Sequence, residues 1–121
     1  MVNNKVLTAD DVPFQDVAWG KTKFLVSPTP SPGGATAPGV SVALTEYAPG
    51  YSHECHRHEG QLEVLYILSG HGVHERDDGT RVPIAPGDVI YVPAGSHHGN
   101  HNPNADPLRA IIVKVPPAPS A

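Results

Sequence analysis

The sequence predicts an all-β domain, a sandwich or barrel of short strands. Three observations carry this reading. Runs such as Val40–Tyr47 (VSVALTEY), Glu63–Leu68 (EVLYIL) and Leu108–Val115 (LRAIIVKV) alternate with period two or are rich in β-branched and aromatic residues. Fourteen prolines and twelve glycines separate such runs, so turn signals recur about every eight to twelve residues, the rhythm of sandwiches and barrels. There is no heptad, no tandem repeat and no amphipathic run of helix length, which argues against βαβ units.

The elements follow in order. Thr8–Asp11 opens a single helical turn before Pro13. Phe14, Val17 and Trp19 are positioned to dock on a sheet, and Phe24–Val26 is a short strand. Ser27–Gly39 (SPTPSPGGATAPG) holds four prolines and three glycines, which excludes a helix or a central strand. It reads as a surface loop, with a flap at a pocket mouth as the alternative. From Val40 the texture becomes regular. Val40, Val42 and Leu44 share one face and Ser41, Ala43 and Thr45 the other, ending at Pro49-Gly50. Glu63–Leu68 and Gly70–Glu75 are strands. Asp77-Asp78-Gly79 is a hairpin signal, Thr80–Ile84 returns, Ala85–Asp88 turns, Val89–Val92 is a strand, and Pro93-Ala94-Gly95 turns again. Leu108–Val115 closes the series. The expected division is an N-terminal arm and loop over 1–39, a barrel over 40–115 and a disordered tail over 116–121.

With 121 residues the chain makes one domain with a real core. The net charge of −4 and the absence of any basic cluster larger than Lys21 and Lys23 point away from nucleic acid and anionic membranes. Cys55 is the only cysteine, so no intrachain disulfide forms. The opening residues carry no leader pattern, and no apolar run approaches membrane-spanning length. The expectation is a cytoplasmic protein with a small-molecule partner, and neither nucleic acid nor membrane.

Eight histidines are the unusual feature, and seven of them fall between His53 and His98. Clustering of that kind suits a metal or acid–base site. His56 and His58, two residues apart, lie on one face if their segment is a strand. A bend at Glu59-Gly60-Gln61 returns Glu63 to the same place, giving two nitrogens and one oxygen. His97 or His98, in Gly87–Asn102, offers a fourth donor.

At this point the chain resembles the cupins, a superfamily of small β-barrels with two signature motifs. Gly50, His56, His58, Glu63 and Gly70 satisfy the first at every spacing, and Gly87, Pro93, Gly95, His98 and Asn102 satisfy the second. The motifs and the segment between them cover Gly50–Asn102, and flanking strands extend the likeness to about Val40–Val115. The resemblance implies a conical double-stranded β-helix, or jelly-roll barrel, often a homodimer. It also implies one divalent transition metal bound by His56, His58, Glu63 and His98, choosing His98 over His97. Three nitrogens and one carboxylate without thiolate suit Fe, Mn, Ni, Co, Cu or Zn. Asn102 is expected to tie backbone together and not to touch metal.

The other residues are assigned lesser roles. His53, Cys55 and Arg57 have the opposite parity to the ligands and are expected to point away, Cys55 as a packed thiol, unless a bulge swings His53 inward. His71, His74, His97 and His101 read as surface or supporting groups. Leu65 and Ile67 share the parity of Glu63 and are expected to wall the pocket. Tyr51 is a candidate for its rim. Arg109 reads as a surface ion pair, or else a carboxylate anchor. Phe14 and Trp19 are the expected dimer contact.

Fold does not choose the reaction. The first expectation is a dioxygenase acting on a chelating enol, β-diketone or hydroxyketone. Glu63 there would double as the catalytic base, a role carried over from cupins with three histidines and one glutamate. The second is a Lewis-acid isomerase, lyase or cyclase acting on a sugar acid or polyketide-like substrate. The third is a small-molecule-binding cupin without turnover.

Overall fold

The computed structural model describes residues 4–57 and 59–117. After a 3-10 turn at Ala9–Asp11 come eleven strands among the described residues: β1 (Gln15–Val17), β2 (Gly20–Ser27), β3 (Ala35–Thr36), β4 (Ser41–Tyr47), β5 (Ser52–Arg57), β6 (Leu62–Ser69), β7 (Gly72–Glu75), β8 (Arg81–Ile84), β9 (Val89–Val92), β10 (His97–His101) and β11 (Leu108–Val115). They form two sheets. One runs β1-β2-β4-β11-β6-β9 with β3 beside β2, and the other runs β5-β10-β7-β8. Every pairing is antiparallel except the short β2–β3 ladder. No helix among the described residues is long and apolar enough to cross a membrane.

The turns sit where glycine and proline put them. Gly70 ends β6 with φ +81°, and a Cβ there would stand 2.3 Å from the Pro107 carbonyl oxygen. Both constraints demand glycine. Asp88 closes the β8–β9 turn by accepting a hydrogen bond from the Ala85 N–H at 2.8 Å. Asn102 holds three segments together. Its Nδ2 donates to the carbonyls of Tyr47 and Asp106, and its Oδ1 accepts from the Asn104 N–H. It acts on backbone, as expected.

The core joins Tyr47, Leu65, Ile67, Ile84, Ile90, Val92, Leu108, Ala110 and Ile112 between the sheets. Both faces of β4 are covered. Ser41, Ala43, Thr45 and Tyr47 point inward, so the small and polar face is the one that lines the interior. Leu44 on the outer face is buried as well. Its neighbour in register is Lys23, which is 4% exposed. That lysine donates to the Ala9 carbonyl and lies over the Phe14 ring, an arrangement that satisfies a buried ammonium.

This arm departs from the reading made from sequence. Strand β2 runs the full length Gly20–Ser27 and pairs with β4, so the sheet reaches back past Val40 to Gln15. Ser27–Gly39 contains the two-residue strand β3. Trp19 is partly buried and packs against the core, and Phe14 is half-buried under Lys21 and Lys23. Residues 118–121 of the expected tail lie outside the described residues.

Candidate metal centre

Glu63 on β6 and His98 on β10 belong to different sheets, and they meet inside the barrel. His98 Nε2 lies 2.8 Å from Glu63 Oε2. The two residues are 2% and 4% exposed. Two donors bound at adjacent positions around one ion, each at about 2.1 Å, stand about 3 Å apart, so this spacing fits a shared metal. His56 is the direct register partner of His98, and its ring lies 4.6 Å from that of His98. Its Nδ1 is 2.8 Å from the Glu54 carbonyl oxygen. That bond fixes Nδ1 as the protonated nitrogen and leaves the Nε2 lone pair for a ligand. Burial is the main cause that lowers the His56 pKa, which favours the neutral, ligating form. His58 lies outside the described residues. Among the described residues alone, no three His, Cys, Asp or Glu side chains form a complete metal-binding group.

The parity expectation for His53 fails, for a visible reason. Strand β5 shifts register against β10 between His98 and Asn100, so His98 faces His56 while Asn100 faces His53. This bulge turns two histidines three residues apart to the same side. It closes over Gly99, where a Cβ would stand 3.1 Å from both Cys55 N and His53 O. His53 lies between Trp19 and His56, stacked on the first at 4.6 Å and tilted against the second at 4.3 Å between ring centroids. Burial first, and then the neighbouring His56 and His98, push its pKa down to about 4.

Cys55, expected to be packed, is exposed. Its pKa is raised, by desolvation and by Glu75 and Asp77, which keeps it a thiol. His71 is exposed, and His97 and His101 pair with Asp77 and Glu75. Arg109 makes the expected surface pair with Glu46. Tyr51 is 55% exposed. Leu65 lines the cavity beside Glu63, while Ile67 sits in the core.

Sequence reasoning gave no role at the site to Asn100, Tyr47 or Lys114. His74, one of the histidines offered as surface or supporting groups, is the buried supporting one, with Nδ1 2.8 Å from Asn100 Oδ1. The amide of Asn100 donates to the Tyr47 hydroxyl at 3.2 Å. Burial holds the Tyr47 pKa above the ordinary tyrosine value, so it remains a hydroxyl. Lys114 is the last of them. It is the register partner of Glu63 on β11, and its Nζ lies 3.3 Å from Glu63 Oε1. Its parity with Leu108, Ala110 and Ile112 was the available signal.

Two antiparallel sheets closed over an interior histidine–glutamate pair define a double-stranded β-helix barrel. Residues 43–114 match the family described as Cupin domain, and the chain belongs to the cupin family. The oxalate-binding protein of Thermotoga maritima is 42% identical over 73 residues, 60% of each chain. The chain therefore spans less than two thirds of that relative's length. Two solved structures are alike in fold. The polyketide cyclase RemF from Streptomyces resistomycificus has a TM-score of 0.81 at 23% identity, over 98% of this chain and 83% of that one. KdgF from a Halomonas species has a TM-score of 0.80 at 19% identity, over 97% of each.

Proposed function

We propose that this cupin domain is a metal-dependent enzyme acting on a small chelating substrate. In this reading His56, His58, Glu63 and His98 hold one divalent transition ion, and the favoured reaction is dioxygenation of an enol, β-diketone or hydroxyketone. The observation that carries the proposal is the buried 2.8 Å approach of His98 to Glu63. A bound ion would supply Lewis acidity and, for a redox-active metal, reaction with O₂. The chain's own residues do the remaining work. Glu63 takes the acidic proton of the substrate at a carboxylate oxygen. His56, held by the Glu54 carbonyl, keeps its Nε2 aimed. Trp19, Tyr47 and Leu65 wall the cavity and exclude water. The name of the Thermotoga maritima relative, an oxalate-binding protein, supports a chelating, oxygen-rich ligand.

A second reading has its own observation. Lys114 holds Glu63 Oε1 at 3.3 Å, which favours a stationary base over a glutamate that loosens during turnover. A stationary base suits proton transfer within one substrate, as in a non-oxidative isomerase, lyase or cyclase.

An O₂ electrode separates the two. Protein loaded in turn with Fe, Ni, Mn, Cu and Zn is offered β-diketones and hydroxyketones. Oxygen uptake that stops under nitrogen is the expected result, while substrate conversion without O₂ establishes the second reading. A Glu63→Ala variant that kept full metal content and full turnover would overturn both.

A further inference from the structure

We infer that Lys114 makes the barrel interior an anion-binding subsite, and that the substrate carries a carboxylate beside its chelating oxygen. This rests on the metal-dependent reading above and narrows its substrate class.

Lys114 is an interior cation by register. It lies across from Glu63 on one side and Ser41 on the other. Its side chain is 21% exposed, and it lines the same cavity as His53, Glu63 and His98. An ammonium has three N–H donors. Among the described residues its acceptor is Glu63, so two donors remain for a ligand. Ser41 and the hydrogen-bonded Thr22–Thr45 pair, 2.9 Å apart, set hydroxyls on the same wall.

The charges point the same way. Among the described residues Glu63 is the only carboxylate lining this cavity and Lys114 the only ammonium. With a divalent ion at the histidine–glutamate site, one carboxylate leaves a surplus of positive charge in a small interior cavity. A monoanion or dianion relieves it, and a neutral ligand does not. Size restricts the anion. The cavity is about 50 Å³, against roughly 10–15 Å³ for one water on a comparable measure. The group that enters is therefore a head of a few heavy atoms, such as a 2-oxo or 2-hydroxy acid.

The test compares two chelators of equal size, pyruvate and 2,3-butanedione, which differ in one carboxylate. Both are titrated calorimetrically into the zinc-loaded protein. Wild type is expected to prefer pyruvate by about tenfold or more. Lys114→Met is expected to weaken pyruvate about ten- to a hundredfold more than it weakens butanedione. Lys114→Arg is expected to restore most of the preference. A merely structural lysine would move both ligands together, so the ratio of the two affinities is the readout. A wild type without preference, or a Lys114→Met variant with an unchanged ratio, overturns the subsite. Zinc content, measured by mass spectrometry, reports on the parent reading separately. Stoichiometric zinc with an unchanged ratio removes the subsite alone. A wild type that takes up no zinc removes the metal-dependent reading, and the subsite with it.

Discussion

The cavity inside the barrel and the groove between β8 and β9 both touch His98, yet they differ in almost every physical respect. The groove is large, about 700 Å³, and the cavity small, about 50 Å³. Groove groups such as His97 and Asp77 stand 3.8 Å apart with about half of each side chain in water. Screened pairs of that kind contribute little. In the cavity, Glu63 lies 2.8 Å from His98 and 3.3 Å from Lys114, and the Glu63 and His98 side chains are buried. There the Glu63 and Lys114 charges are screened less than on the surface, and an unmatched one is costly. Enclosure, more than volume, marks the place where few residues can do chemistry.

Several substitutions can break this contrast. The largest effect is expected at the metal. Glu63→Gln and His98→Ala should each weaken binding of a divalent ion by about a hundredfold or more, followed by competition with a coloured chelator. Asp77→Asn in the groove should leave it unchanged, and an equal loss there would erase the distinction between the regions. Stability comes next. Asn100→Ala removes the partner of both His74 and Tyr47 and should cost about 2–3 kcal/mol in urea unfolding, whereas His97→Ala should cost under about 0.5 kcal/mol.

The third test uses pH on metal-free protein. The unfolded chain protonates His53 near its ordinary value of about 6.5, and the folded chain only near about 4. Folded stability is therefore intact above about pH 6.5 and falls as the pH drops toward about 4. His53→Phe should flatten that slope by about 1–2 kcal/mol, allowing for partial exposure. The smallest effect is expected for Arg81→Ala. It breaks an exposed 3.2 Å pair with Glu75 and should shift stability by about 0.5 kcal/mol or less.

The turns and the central strands were legible in the sequence because glycine, proline and β-branched runs act locally. Gly70 and Asp88 sit where their chemistry requires. What escaped is non-local. Strand β2 carries Lys21, Thr22 and Lys23, a poor strand signal by itself, and it forms because β4 pairs with it and the arm covers Lys23. For His53 simple alternation gave the wrong default because it assumes an unbroken ladder, and the bulge over Gly99, the alternative left open, breaks it. Glu63 and His98 were named from their motifs, and they meet across the two sheets. Lys114 showed the right parity but sat in a run read only as a closing strand.

The stack that joins Trp19 to His53 and His53 to His56 has an optical consequence. Trp19 is the only tryptophan in the chain, so its emission reports on one place. An open-shell ion such as Cu(II) or Ni(II) on His56 would sit two rings from that indole and quench it, while closed-shell Zn(II) would leave it bright. The protein would thus carry its own fluorescent gauge of which kind of metal it holds, readable without any label.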